Sequence, residues 1–164
     1  MHASTGAVRL PGPMQVRDLL GDLLRREVAL RPGPPLAVSE FTPASVASYV
    51  DDTLVVRALV VLDLPLSAYA GAASALVPPA AARTAVTEST LGPVIGARLD
   101  RLITEVAPLL AGADGPQLRP YAVHLAGSPV PADLRARTQV LGRRLDLRVD
   151  VAGYGAGRLA LVLA

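Results

Sequence analysis

Few residues of this chain are of a type that does chemistry. There are two His and four Glu (Glu27, Glu40, Glu88 and Glu105), and there is no Cys, Lys, Asn or Trp. A metal site needs ligands that converge on one ion. His2 lies in the N-terminal stretch and His124 inside a strand pattern, with no second ligand recurring near either, so His124 is expected as an ordinary strand residue and no metal is expected. Acid–base catalysis wants two convergent carboxylates. Asp51, Asp52 and Asp63 bracket one strand-like run, where a divalent cation is one reading and turn and strand-end capping accounts for them equally. The cluster Gly153-Tyr154-Gly155-Ala156-Gly157 superficially resembles a phosphate loop. Phosphate cradles lead into a helix N-terminus, whereas this cluster leads into an apolar strand pattern, and a hairpin turn is expected.

The missing residue types exclude whole classes of function. Without Cys there are no disulfides, thiol nucleophiles or thiolate zinc sites. Without Lys there is no P-loop lysine and no Schiff base, and without Asn no asparagine can position a water. All sixteen basic residues are Arg, a vocabulary that a GC-rich genome writes, and the net charge is only +2. Arg17, Arg25 and Arg26 are interspersed with Asp18, Asp22 and Glu27, without a basic run or interleaved aromatics, so nucleic-acid binding is not indicated. The longest uncharged stretch, Leu64 to Ala82, is broken by Pro65, Pro78 and Pro79, and no membrane span or signal peptide is expected. Cytoplasmic localisation is the default expectation. No cofactor is expected.

The elements that would position any site follow from periodicity. A length of 164 residues fits one domain, with 1–13 as a flexible tail and 14–164 as the folded unit. Val16, Leu19, Leu20, Leu23 and Leu24 recur at helical spacing after Pro13. A short strand over Glu27–Leu30 runs into the loop signal Pro32-Gly33-Pro34-Pro35. Ala44–Val50 and Thr53–Asp63 read as a hairpin about Asp51-Asp52, the second run being a central strand. Ser67 to Leu76 reads as a short helix of small residues lying close to the sheet, which accounts for Gly71. A long helix occupies Thr90–Leu110 with Leu91, Val94, Ile95, Leu99, Leu102, Ile103, Val106 and Leu109 on its apolar stripe and Arg98, Arg101, Thr104 and Glu105 on its polar side. Pro108 predicts a kink or an end near Thr104. After a loop at Gly112–Pro116, Leu118–Leu125 reads as a strand and Pro131 opens a helix through about Leu141. Leu145–Val151 alternates strictly, predicting Asp146, Arg148 and Asp150 toward water, and Arg158–Leu163 is the last strand. Leu20–Val28 and Leu141–Val149 echo one another, which hints at duplicated βαβ-like halves.

Assembled in order, these elements resemble the CheC/CheX group of chemotaxis proteins, relatives of the flagellar switch proteins. The likeness is carried by the Val56–Leu62 strand running into Asp63-Leu64-Pro65-Leu66-Ser67-Ala68-Tyr69-Ala70-Gly71, by the Glu105-Val106 step, and by the closing hairpin through Arg158-Leu159. It spans about residues 14–164. The resemblance implies an α+β fold, with a mixed, mainly antiparallel β-sheet of about six strands and long helices packed on it.

Active members of that group dephosphorylate a response regulator through an Asp-or-Ser, x3, Glu, x2, Asn pattern on the long helix. The acid anchors the partner and the Asn amide orients the attacking water. Glu105 matches the acid, Arg101 stands at the Asp-or-Ser position, Pro108 stands where the Asn would be, and Pro131 fits the downstream proline. Gln15, Gln117 and Gln139 are not at a substituting position. What the resemblance implies here is therefore a non-catalytic interaction domain in a motility or two-component pathway. Arg98, Arg101 and Glu105 would face a receiver domain or motility protein, and a homodimer through sheet edges or helices is possible. Two alternatives are a phosphatase acting through Glu105 and a small-molecule sensor around Tyr69 and Gly71.

Overall fold

A computed structural model describes residues 8–111 and 115–164. In chain order the elements are α1 (Pro13–Leu24), β1 (Val28–Pro32), β2 (Ala44–Val50), β3 (Val56–Asp63), α2 (Leu64–Ala75), α3 (Pro79–Glu88), α4 (Gly92–Ala111), β4 (Arg119–His124), α5 (Ala132–Thr138), β5 (Arg144–Val151) and β6 (Gly155–Leu163). The strands form one sheet in the order β1-β5-β6-β3-β2-β4, and every neighbouring pair is antiparallel. The α+β expectation of about six strands holds, and the sheet is wholly rather than mainly antiparallel. The loop expected at Gly112–Pro116 lies partly outside the described residues, as do residues 1–7 of the expected tail. The described end of that stretch is packed: Val8 is buried and its carbonyl accepts from Arg143 Nη2 at 2.8 Å.

Exchanging β1 with β4, β2 with β5 and β3 with β6 turns the strand order into its own reverse, and α1 and α4 precede the first strand of each set. The chain is thus two αβββ halves, each lending its first strand to the other's edge. This symmetry of topology does not follow the two segments whose sequences echo one another. Leu20–Val28 closes α1 and enters β1, whereas Leu141–Val149 runs into β5, which is the counterpart of β2. The halves are αβββ, not βαβ.

β2 is buried along all seven residues and β3 along its last six, because both faces of the sheet centre are covered. On one face lie α1, α2 and α4. On the other lie α5 and the segment 34–42, which enclose Leu36, Val38, Val46, Leu59, Val61, Leu134, Ala160 and Val162. That second layer is anchored by an ion pair. Arg144 and Asp146 side chains are 5% and 9% exposed and meet at 2.7 Å. Arg144 also donates to Thr138 O, Val140 O and Leu36 O, while Asp146 Oδ1 accepts from Leu36 N–H. Asp146 was expected to face water. It is covered instead, because the segment from Gly33 to Val38 crosses the sheet and turns one backbone N–H and one carbonyl onto the pair. Arg148 and Asp150 are exposed as expected.

α2 is a buried helix made of small residues, wedged between the sheet and α4. At Gly157 of β6 a Cβ would lie 2.5 Å from Leu66 N, and at Gly71 of α2 it would lie 2.7 Å from both Ile95 O and Ile95 Cγ2. Gly71 therefore serves the contact with α4; the close approach to the sheet is made at Gly157. A polar chain runs through the same region: Ala126 N–H donates to Ser45 Oγ, which contacts Ser67 Oγ at 2.8 Å, and Ser67 Oγ donates to Leu62 O. Every member of that chain is partnered, as burial demands.

Asp63 ends β3 and caps α2, its Oδ1 accepting from Leu66 N–H at 2.9 Å. Burial pushes its carboxyl above the ordinary carboxylate value; the Leu66 and Arg158 backbone N–H groups and the Arg158 and Arg148 charges only partly oppose this. α3, which periodicity did not predict, starts at Pro79: α2 stops at Ala75 with Leu76 left-handed as its C-cap, and Pro79 occupies the first turn of the next helix. α5 stops at Thr138 rather than near Leu141, where its last carbonyls turn to Arg144.

Three outcomes follow for stability. Gly71→Ala gains helix propensity but forces a methyl into the Ile95 carbonyl, and overpacking of this kind costs about 1–3 kcal/mol, so the urea midpoint falls. Asp146→Ala leaves the Arg144 charge buried and alone, costs about 3–5 kcal/mol, and accelerates hydrogen exchange at the Leu36 amide more than at Val60. Asp63 has a raised folded pKa, so its stabilising contribution is complete below its unfolded pKa and is lost as pH rises through the folded value. Asn caps as well as Asp. The Asp63→Asn protein is therefore at least as stable as the parent at neutral pH, and denaturation midpoints of the two converge as the pH is lowered.

Candidate partner-binding face on α4

α4 is a twenty-residue helix that buries Ile95, Gly96, Leu99, Leu102, Ile103, Val106, Ala107 and Leu110. Its mid-point is pinned from the sheet: Tyr49, fully buried in β2, donates its phenol to Ile103 O at 2.6 Å. Burial pushes that phenol far above its ordinary pKa, so it remains a donor. At ~100° per residue, positions 94, 98, 101, 105 and 108 fall on one side. Val94, Arg98, Arg101, Glu105 and Pro108 are all exposed and make one continuous stripe. The sequence reading placed Arg98, Arg101 and Glu105 there correctly and Val94 wrongly. Val94 is 59% exposed, because the helix sits on α2 and the sheet through a narrower face than the periodic pattern allowed.

Among the described residues, none of the side chains of Arg98, Arg101 and Glu105 makes an ion pair or a hydrogen bond. Arg101 and Glu105 are four apart but in the less favourable order, with the cation toward the N-terminus. All three charged groups are thus available to a partner.

Pro108 does not end the helix near Thr104; α4 continues to Ala111. The carbonyl that loses its partner is that of Thr104, an exposed residue, and water can satisfy it. A shallow groove between this end of α4 and β4 is lined by Thr104, Pro108, Gln117, Leu118 and Arg119 among others. Gln117 thus shares a groove with Pro108, a proximity that sequence spacing could not show because a loop intervenes. Glu105 is not part of that lining.

The remaining candidates have structural roles. Asp51 Oδ1 accepts from Thr53 N–H, Thr53 Oγ1 and Val55 N–H, which closes the β2–β3 turn and holds its carboxyl below the ordinary value. Asp63 is at the opposite end of β3, and among the described residues no group of three potential metal ligands occurs. The glycine cluster is a hairpin turn, with Gly153 at φ +82° and Gly155 at φ +145°. His124 is a half-buried member of β4. At Gly71 Ile95 occupies the space that a side chain would take, and a Cβ at Gly155 would meet the Tyr69 ring. Among the described residues no helix is long and apolar enough to cross a membrane.

No family model matches the sequence, and no curated protein matches it by sequence. Solved structures do match the fold. The middle domain of FliM from H. pylori superposes with a TM-score of 0.57 at 10% identity, over 92% of this chain and 83% of that one. The FliG–FliM complex from H. pylori gives 0.54 at 10% identity, over 92% and 85%. FliY from Thermotoga maritima gives 0.51 at 11% identity, over 90% and 81%. On this likeness the chain has the fold of the FliM middle domain and FliY, the fold that its resemblance to the CheC/CheX group implied.

Proposed function

We propose that this chain is a non-catalytic protein-interaction domain of a bacterial motility or chemotaxis pathway, which meets a receiver domain or a flagellar motility protein through the exposed stripe of α4. The observation that carries the reading is the stripe itself: Arg98, Arg101 and Glu105 project from a helix rigidly held on its other face, with no partners of their own among the described residues. Val94 and Pro108 supply apolar ends to a charged middle. Charged groups so displayed steer encounter and set specificity, and anchored Arg side chains are frequent hot spots. The fold is one that, in H. pylori FliM, is found bound to FliG.

A lack of chemistry is consistent with the residues present. Glu105 is an exposed carboxylate that makes no ion pair or hydrogen bond among the described residues, and the position of the water-orienting amide is held by Pro108. One observation favours the alternative of a receiver phosphatase: Gln117, whose side chain carries an amide, lines the same groove as Pro108. In that reading Glu105 anchors the receiver and Gln117 orients water for in-line attack on the aspartyl phosphate.

Titration of the purified chain with receiver domains of its own organism, with and without a phosphate mimic, and with its FliG separates these readings. Saturable binding is expected to one of these proteins, weakened about tenfold or more by Arg101→Glu, as loss of a central charged anchor produces. Receiver dephosphorylation is expected to proceed at its intrinsic rate. Acceleration that disappears in both Glu105→Ala and Gln117→Ala would instead establish the phosphatase, and absence of binding to every receiver and to FliG would overturn the interaction domain.

A further inference from the structure

Three arginines stand in line across adjacent strands of the sheet. The ladders set Arg31 of β1 opposite Arg148 of β5, and Arg148 opposite Arg158 of β6. Residues in register share a face, and Arg158 alternates with Ala160 and Val162, so the row lies on the face that carries α5 and the segment 34–42. Arg31 and Arg148 are exposed beyond the border of that layer. Arg158 is half-buried at the border, where its Nη2 donates to Pro34 O at 3.2 Å and to Pro35 O at 2.9 Å.

By itself the row is electrostatically unfavourable. Gly33 N–H donates to Asp146 O, and Leu163 N–H donates to Arg143 O. Alternation from these bonds makes Arg31 and Arg148 a hydrogen-bonded pair and Arg148 and Arg158 a non-hydrogen-bonded pair, the kind in which side chains come closest. Like charges directly opposite one another destabilise a sheet. Among the described residues none of the three arginines makes an ion pair. Asp146 is engaged by Arg144, and Asp63 is buried and accepts from the Leu66 and Arg158 backbone N–H groups. Arg158 Nε is buried without an acceptor.

We infer that this row is a binding site for a small phosphorylated solute with two linked phosphoryl groups, held chiefly by Arg148 and Arg31 in the field of Arg158. Guanidinium forks match phosphoryl oxygens in pairs. A single phosphoryl group carries a charge of about −1.5 to −2, which leaves part of three cations unmatched, whereas two linked groups match them. Neighbouring strands are about 4.8 Å apart, so adjacent forks can each take one group of a linked pair.

The surroundings of the row select a compact anion. On one side Asp150, exposed between Ala29 and Ala156, follows Arg148 along the same face, and Glu27 lies beyond it on β1. On the other side the chain at Pro34 and Pro35 crosses the sheet. A membrane surface or an acidic protein segment laid over the row would meet the carboxylates of Asp150 and Glu27, and a small solute confined to the row would not. Since α4 lies on the opposite face, this inference is independent of what that helix binds.

Calorimetric titration of the full chain with inorganic diphosphate, at low salt and without divalent cations, tests the site. Saturable binding is expected, about tenfold or more tighter than that of inorganic phosphate, and weakened about tenfold or more by Arg148→Gln and severalfold by Arg31→Gln. Each variant removes an exposed charge that has no ion-pair partner among the described residues, so without ligand neither melts below the parent, and diphosphate raises the melting temperature of the parent more than that of either. The two substitutions stand on different strands, so that one decides should the other fail to fold. Arg83→Gln, at an exposed position of α3, is expected to bind as the parent does. A loss in Arg83→Gln equal to that in Arg148→Gln would reveal unlocalised attraction of any anion. Tighter binding to vesicles of phosphatidylcholine with phosphatidylserine, or to polyglutamate, would assign the row to an extended partner. Either result, or no saturable binding of diphosphate up to about 10 mM, would overturn the inference.

Discussion

Two glycines determine where the outer helix of this fold can stand. Gly157 lets the backbone of α2 lie directly on β6, and Gly71 lets α4 lie directly on α2, so three layers of backbone are stacked with scarcely any side chain between them. Close packing of this kind has little tolerance for added volume. Tyr49 then reaches from the sheet to Ile103, which fixes α4 in rotation as well as in height. The exposed stripe from Val94 to Pro108 is therefore displayed by a helix that cannot roll, and rigidity of this sort lowers the ordering cost of binding.

The opposite face of the sheet is held by a different kind of interaction. No helix there is long enough to cover β3 and β6, and the segment 34–42 does so without secondary structure of its own beyond one isolated bridge. Backbone that leaves the sheet must still satisfy its polar groups. Arg144 and Asp146 supply those partners, Thr138 Oγ1 accepts from Val38 N–H, and Arg158 Nη2 donates to Pro34 O and Pro35 O. Apolar side chains give this layer its energy, and the polar groups give it one position.

What the sequence made legible, and what it did not, divides along the same line. β3 was readable because burial on both faces leaves an unbroken apolar run, and the terminal hairpin because glycines mark a turn between two strand patterns. Asp146 was misread because alternation reports only the pleat; whether a polar face meets water or a crossing segment depends on residues a hundred positions away. Val94 was misread because a 3.6-residue period shows where a stripe runs but not how wide the buried face is. α3 went unseen since Ala-rich helices carry little apolar contrast. At the candidate site, Arg98, Arg101 and Glu105 were legible from helical spacing alone, while the proximity of Gln117 to Pro108 needed the loop to fold back.

The exchange of first strands between the halves also governs how the chain must fold. β1 finds its partner in β5, and β4 in β2, so neither αβββ half can complete an edge by itself. The central seam, β3 against β6, joins residues about as distant in sequence. Pairings of such long range must be closed before they are rewarded, which makes for slow and concerted assembly. During synthesis the first half would leave the ribosome with an unfilled place beside β2, and the domain could close only once the last strand had emerged. A chain organised in this way closes both edges and the central seam of its sheet only when both halves are present, while the β2–β3 and β5–β6 hairpins lie within one half each.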